Sequence, residues 1–166
     1  MRRFTVIATA LPLLMSGNAS ADMLTDAVKE IGIKTCLAAI GSASKLHLEK
    51  ADYGYHNIWA TKDPDKAMFS SLVVKDYSDG DSHISIVASP RGDGCDIQWT
   101  ETYVQEQACP VLRETLFRSF EFGGEVLGGS IQLTNDAMSV YLTPSESGKA
   151  CLVTRCELVL GYPVEL

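Results

Sequence analysis

The stretch from Gly92 to Pro110 constrains the fold more than any other. It reads as a strand running into a helix, with a cysteine near each end. Ile97, Trp99 and Tyr103 share one parity, while Gln98, Thr100 and Thr102 share the other, which is the pattern of a half-buried strand. Glu101 interrupts the apolar face. Beyond Val104 the period changes: Pro110 suits a first helical turn, and Val111, Leu112, Thr115, Leu116 and Phe120 follow at helical spacing until Gly123-Gly124. A disulfide from Cys95 to Cys109 is expected to join the start of this strand to the start of this helix. Closing a loop of about 15 residues stabilises by roughly 3 kcal/mol in the chain-entropy picture.

Such a bond needs an oxidising compartment, and the N-terminus supplies a route to one. Met1-Arg2-Arg3 is a short basic start, Phe4 to Met15 is an apolar run too short to span a bilayer, and Ala19-Ser20-Ala21 is a small-residue cleavage site. Residues 1–21 therefore read as a secretory signal and residues 22–166 as a single domain, exported to the periplasm or the extracellular space. The pair Arg2-Arg3 lacks the wider twin-arginine pattern, so general secretion is favoured. No second apolar stretch is long enough to insert into a membrane once the signal is removed.

Removing Arg2 and Arg3 takes the basic total from 14 to 12 against 21 acids, a net charge of about −9. That balance opposes nucleic acid and anionic lipid, which both require basic patches, and leaves a protein as the expected partner.

All five cysteines lie beyond the signal. Cys151 and Cys156 fall in one extended run, Ala150 to Leu160, where they are too far apart to bond each other. One of them is expected to pair with Cys36, leaving one free thiol. Cys156 shares the parity of Leu152, Leu158 and Leu160, which fits either a buried thiol or the partner of Cys36; an intermolecular bridge is a lesser alternative.

Met23 to Leu48 reads as a helix whose apolar side changes after Gly32, with Gly41-Ser42-Ala43-Ser44 as its weak point. Tyr53 to Thr61, Met68 to Tyr77 and the segment through Ile84, Ile86 and Ala88 read as strands. Lys62-Asp63-Pro64-Asp65 and Ser78-Asp79-Gly80-Asp81 are the turns between them. Pro90 to Gly94 turns the chain into the central strand. After the second helix come strands at Glu125 to Thr134, around Met138, Val140 and Leu142, and at Ala150 to Leu160. The expected fold is α+β: a mainly antiparallel sheet of about seven strands with two helices, in the order α-β-β-β-β-α-β-β-β, closed by disulfides. The halves are loosely alike in element order, with no residue-level repeat recognised.

Several patterns carry possible chemistry, each beside a plainer reading. Ser42-Ala43-Ser44-Lys45 matches the Ser-x-x-Lys of serine acyltransferases, without the companion motifs. Asp76, Asp79, Asp81 and His83 crowd one turn, out of register for a calcium loop and explained by a hairpin. His47, His56 and His83 lack zinc-site spacing. Arg91-Gly92-Asp93 falls at a loop tip that needs glycine and aspartate in any case. Tyr53, Tyr55 and Trp59 form an aromatic stripe, either a binding stripe or core beneath a helix. Glu101, if buried with a raised pKa, would be a general-acid candidate. No catalytic residue, metal ligand or cofactor is assigned. The expected function is binding, as an inhibitor, an accessory subunit or a chaperone-like partner. A small secreted hydrolase and a structural component of a cell-envelope assembly are the alternatives.

Overall fold

The computed structural model describes residues 22–48, 52–76 and 80–163. The proposed signal, and Ser78 and Asp79 of the expected hairpin turn, lie outside these residues. The chain forms helices α1 (Asp22–Ile31) and α2 (Leu37–Leu48), strands β1 (Asp52–Ile58), β2 (Phe69–Asp76), β3 (Ser82–Arg91) and β4 (Gly94–Gln105), then helix α3 (Cys109–Thr115). Strands β5 (Glu121–Glu125), β6 (Ile131–Thr134), β7 (Met138–Pro144) and β8 (Cys151–Pro163) complete it. All eight strands join in one sheet, antiparallel throughout, in the order β1-β2-β3-β4-β8-β7-β6-β5. The α+β class is as expected.

The element boundaries differ from the sequence reading at three places. The first helix is two: Gly32 takes φ 93°, a left-handed conformation open to glycine, and its N–H bonds the Lys29 carbonyl to end α1. Gly41 to Ser44, expected to be the weak point, lies inside α2, where Ala43 and Ser44 are buried. The second helix stops at Thr115; the stretch to Gly124, read as its continuation and terminator, belongs to an eighth strand at Glu121–Glu125, and the strand expected from Glu125 to Thr134 is regular only at Ile131–Thr134, after a 3-10 turn at Leu127–Gly129.

The disulfide expectation is corrected as well. Cys36 bonds Cys95 and Cys109 bonds Cys151, which leaves Cys156 as the free thiol. The expected Cys95–Cys109 bond fails on strand geometry. From Cys95 to Gln105 the chain is extended in β4, which spans roughly 33 Å at ~3.3 Å per residue. The four residues to Cys109 recover at most about 14 Å, far short of bonding distance. Cys36 accordingly pairs with neither Cys151 nor Cys156.

Those two bonds expose a symmetry. Each joins the N-terminal end of a helix, α2 or α3, to the beginning of the fourth strand that follows it, β4 or β8. The sheet order maps onto itself when each helix-plus-four-strand unit is exchanged for the other, and Cys95 then corresponds to Cys151. The same offset carries Thr100 onto Cys156, and these two residues face each other on the β4–β8 ladder, so the pseudo-dyad passes between them. A short local similarity accompanies it. Ser85-Ile86-Val87-Ala88-Ser89-Pro90 leads by a short turn to Cys95, and Ser139-Val140-Tyr141-Leu142-Thr143-Pro144 leads by a slightly longer one to Cys151.

Both helical layers lie over one side of the sheet. Leu24 and Val28 of α1 and Ala39, Ile40 and Leu48 of α2 are buried with Phe69, Val73, Ile84, Ile86 and Ile97. Leu112 of α3 and Phe117 are buried with Leu133, Val140, Leu142 and Val153. Polar ties fix the helices in place. Leu24 N–H donates to the Tyr53 hydroxyl at 3.1 Å, and the Ser42 and Tyr162 hydroxyls share a hydrogen bond of 2.6 Å. The Asp65 carboxylate accepts from the backbone N–H groups of Lys34 (2.6 Å) and Thr35 (2.7 Å) just ahead of α2. At the lower end of the seam a β-carbon on Gly94 would stand 3.0 Å from the Tyr162 carbonyl oxygen, so this close approach of β4 and β8 needs glycine.

Candidate functional site

At the centre of the covered side, Glu101 places a carboxylate among apolar neighbours and is only 2% exposed. Strand parity puts it there with Ile97 and Trp99, and its partners come from three other strands. Lys75 Nζ of β2 donates to Oε1 at 3.4 Å, Ser82 Oγ of β3 donates to Oε1 at 3.0 Å, and Arg155 Nε of β8 donates to Oε2 at 2.9 Å. A second Arg155 nitrogen also closes on Oε2. Burial alone would raise the Glu101 pKa, but the Arg155 hydrogen bonds and charge, with Lys75 and Ser82, outweigh it and hold the carboxyl below its ordinary range. This overturns Glu101 as a general-acid candidate, because a carboxylate kept ionised by two cations has no proton to donate at neutral pH.

His47 of α2 packs on Trp99, with ring centroids 4.0 Å apart, and its Nε2 is buried without a hydrogen-bond partner. Desolvation lowers its pKa to about 4; Glu101 acts in the opposite direction, and Arg155 and Lys75 lower it further. The imidazole is therefore neutral at pH 7. The Arg155 guanidinium lies 5.8 Å from the ring centroids of both Trp99 and Tyr103, so the cluster is bounded by aromatic faces. Its chemistry is that of a satisfied internal ion cluster.

The remaining candidates resolve more simply. Ser42 and Lys45 both line a shallow groove of about 520 Å³ between α1 and α2, but the Ser42 hydroxyl is engaged by Tyr162. No group of three or more metal-ligating side chains occurs among the described residues; Asp76 and His83 lie on β2 and β3 either side of the turn, and Asp79 lies outside those residues. Arg91-Gly92-Asp93 caps the β3–β4 hairpin and is exposed. The aromatic stripe divides: Tyr53 is buried, Tyr55 is half-buried, and Trp59 lies beyond the end of β1 and is 41% exposed. The three do not form one surface.

The side of the sheet away from the helices presents a different candidate. From β1 to β6 three adjacent registers hold no lysine, arginine or carboxylate, the middle one ending on β5 at Glu121. One runs Gly54, Val74, His83, Thr102, Thr154, Tyr141, Gln132 from β1 to β6. The next runs His56, Leu72, Ser85, Thr100, Cys156, Ser139, Thr134, and the third Ile58, Ser70, Val87, Gln98, Leu158. Strand spacing makes this area about 35 Å by 20 Å, on the order of 700 Å². Leu72, Ile58 and Leu158 are each more than half exposed there, and Leu152 and Val104 extend the apolar surface at one margin. Cys156 sits in the middle, half-buried, with Gln98 Nε2 donating to its sulfur at 3.2 Å. Its parity with Leu152 and Leu158, which suggested burial, is that of the open side.

The sequence signal for this face was present in β2 and β8. Leu72 and Val74 alternate with the buried Ser71, Val73 and Lys75, and Leu152 and Leu158 fall in the opposite phase to the buried Val153, so these strands carry apolar residues in both phases. Only the placement of the three described helices on one side shows which phase the described residues leave uncovered.

Comparison of the chain with protein families, with curated proteins and with solved structures finds no match.

Proposed function

We propose that this is an exported protein that acts by binding a protein partner, and that the open face of the sheet is its docking surface. The observation that carries the reading is the uncharged, partly aliphatic area across seven strands in a chain of which 21% is charged. Leu72, Val74 and Ile58 group on β1 and β2 with Leu158 across the same face, and exposed apolar side chains gathered on one uncharged face favour an interaction site over a scattered surface. Two disulfides support an oxidising compartment, either the periplasm or the extracellular space, and no described helix is long and apolar enough to cross a membrane. The acidic balance favours a protein over nucleic acid or anionic lipid as partner. Inhibitor, accessory subunit and chaperone-like partner all use a surface of this kind. A hydrolase is disfavoured by Glu101 being locked as a carboxylate and His47 lacking a hydrogen-bonded partner.

Site-specific photo-crosslinking in the producing cell tests the reading. A photoreactive residue at Leu72 or Leu158 is expected to give discrete protein adducts, while one at Lys45 on the helical side gives none. Equal labelling at all three positions, or none at the open face, would overturn it.

A further inference from the structure

We infer, resting on the docking reading above, that the partner seated on the open face is a second copy of this chain, with the two sheets packed face to face and the helices outside. Three observations carry this. The uncharged area of roughly 700 Å² approaches the ~800 Å² that each partner contributes to a standard stable interface. The formal net charge of the chain is −7, yet from β1 to β6 the registers through Val74, Leu72 and Val87 hold no carboxylate, Glu121 lying at the β5 edge of the middle one, so the centres of two acidic copies meet without opposing like charges. The centre of the face lies between Thr100 and Cys156, with the small Ser85 and Ser139 to either side in the same register and Gln98 and Leu158 in the next. An isologous dimer brings this same patch of both copies together about a twofold lying in the plane between the two sheets. Facing sheets then form a sandwich whose inner layer is the present open face.

In this arrangement the Cys156 thiols of the two copies lie near the dimer axis and are shielded from solvent. The thiol serves as a reporter and takes no part in holding the dimer together.

Sedimentation equilibrium of the purified, disulfide-closed protein tests the assignment. The expected result is a dimer at micromolar concentration whose Cys156 reacts slowly with a thiol reagent and is joined to its twin by a short bis-maleimide. The double variant Leu72→Lys, Leu158→Lys should raise the dimer dissociation constant roughly 100-fold or more, because each lysine would be buried unpaired. Its far-ultraviolet circular dichroism and both disulfides should remain unchanged, since both positions are solvent-exposed in the protomer. A monomer at all concentrations would overturn the inference, as would a dimer that survives the double variant. If the protein is monomeric while photo-adducts at Leu72 and Leu158 contain a different chain, the second-copy inference fails and the docking reading stands.

Discussion

Arg155 stands directly across the β4–β8 ladder from Glu101, and the guanidinium fork closes on the buried carboxylate at the seam between the two halves of the sheet. The pair joins the second unit to the first at their shared border, and Lys75 joins it from β2. Replacing Glu101 with Ala removes the carboxylate that both cations contact, beside a Lys75 side chain only 4% exposed. The expected loss is roughly 3 to 5 kcal/mol by denaturant unfolding, the range for breaking a buried ion pair from one side. Arg155→Ala should cost less, because its side chain is one-third exposed and Lys75 remains.

The pH dependence follows from the same cluster. His47 has a folded pKa depressed from 6.5 to about 4, so between those values the unfolded chain binds more protons and stability falls as pH is lowered. Glu101 is also depressed, from an ordinary value of 4.5; its contribution is fully present above that value and is lost as the pH falls through its folded pKa. Unfolding free energies measured from pH 7 to pH 3 should decline in two stages. His47→Gln should flatten the upper stage and leave the lower one.

The two disulfides divide the molecule between them. Cys36→Ser and Cys109→Ser should each cost about 2 to 5 kcal/mol under oxidising conditions, the usual effect of losing a native bridge from a small secreted domain. Proteolysis without reduction should yield one peptide pair containing Cys36 with Cys95 and another containing Cys109 with Cys151. A Cys95-to-Cys109 peptide pair would contradict the structure. Cys156→Ser should abolish thiol titration and leave both bridges intact.

Asp65 holds the backbone ahead of α2 by two N–H bonds and a third from the Thr35 hydroxyl at 3.2 Å. Asp65→Ala should destabilise by roughly 1 to 2 kcal/mol, the scale of losing a helix-capping carboxylate. Burial raises the Asp65 pKa, but the Thr35 and Lys34 hydrogen bonds lower it by more, so its stabilisation is present above the ordinary value of 3.8 and fades below it. The variant should therefore differ from the parent less at pH 3 than at pH 7.

The two tryptophans report different environments. Trp99 is 4% exposed beneath α2, whereas Trp59 is 41% exposed beyond β1. A soluble quencher should reach one emitting population and spare the other, and Trp59→Phe should remove the accessible fraction. Full quenching of both would show that α2 does not cover β4.

Local patterns made much of the fold legible. The alternation of Ile97, Trp99 and Tyr103 against Gln98, Thr100 and Thr102 identified β4 and its buried side, and Glu101 was marked as the break in that side. The turn chemistry around Asp63-Pro64 and Gly92-Asp93 placed the hairpins. The repeat of element order has only a faint trace in the chain, two Ser-aliphatic runs ending in Pro with a cysteine beyond, which the strand registers align.

Residue order by itself determined the α+β class, the antiparallel hairpins and a cysteine set suited to an oxidising compartment, because period, turn residues and helix breakers act over a few neighbours. Only the tertiary structure decided which cysteines bond, which charges neutralise Glu101 and which side of the sheet stays bare. Those outcomes depend on strands distant in sequence lying ~4.8 Å apart and on where three helices settle. Cys95 and Cys109 are near in sequence and lie at opposite ends of an extended strand, whereas Cys95 and Cys36, 59 residues apart, meet under the helix α2.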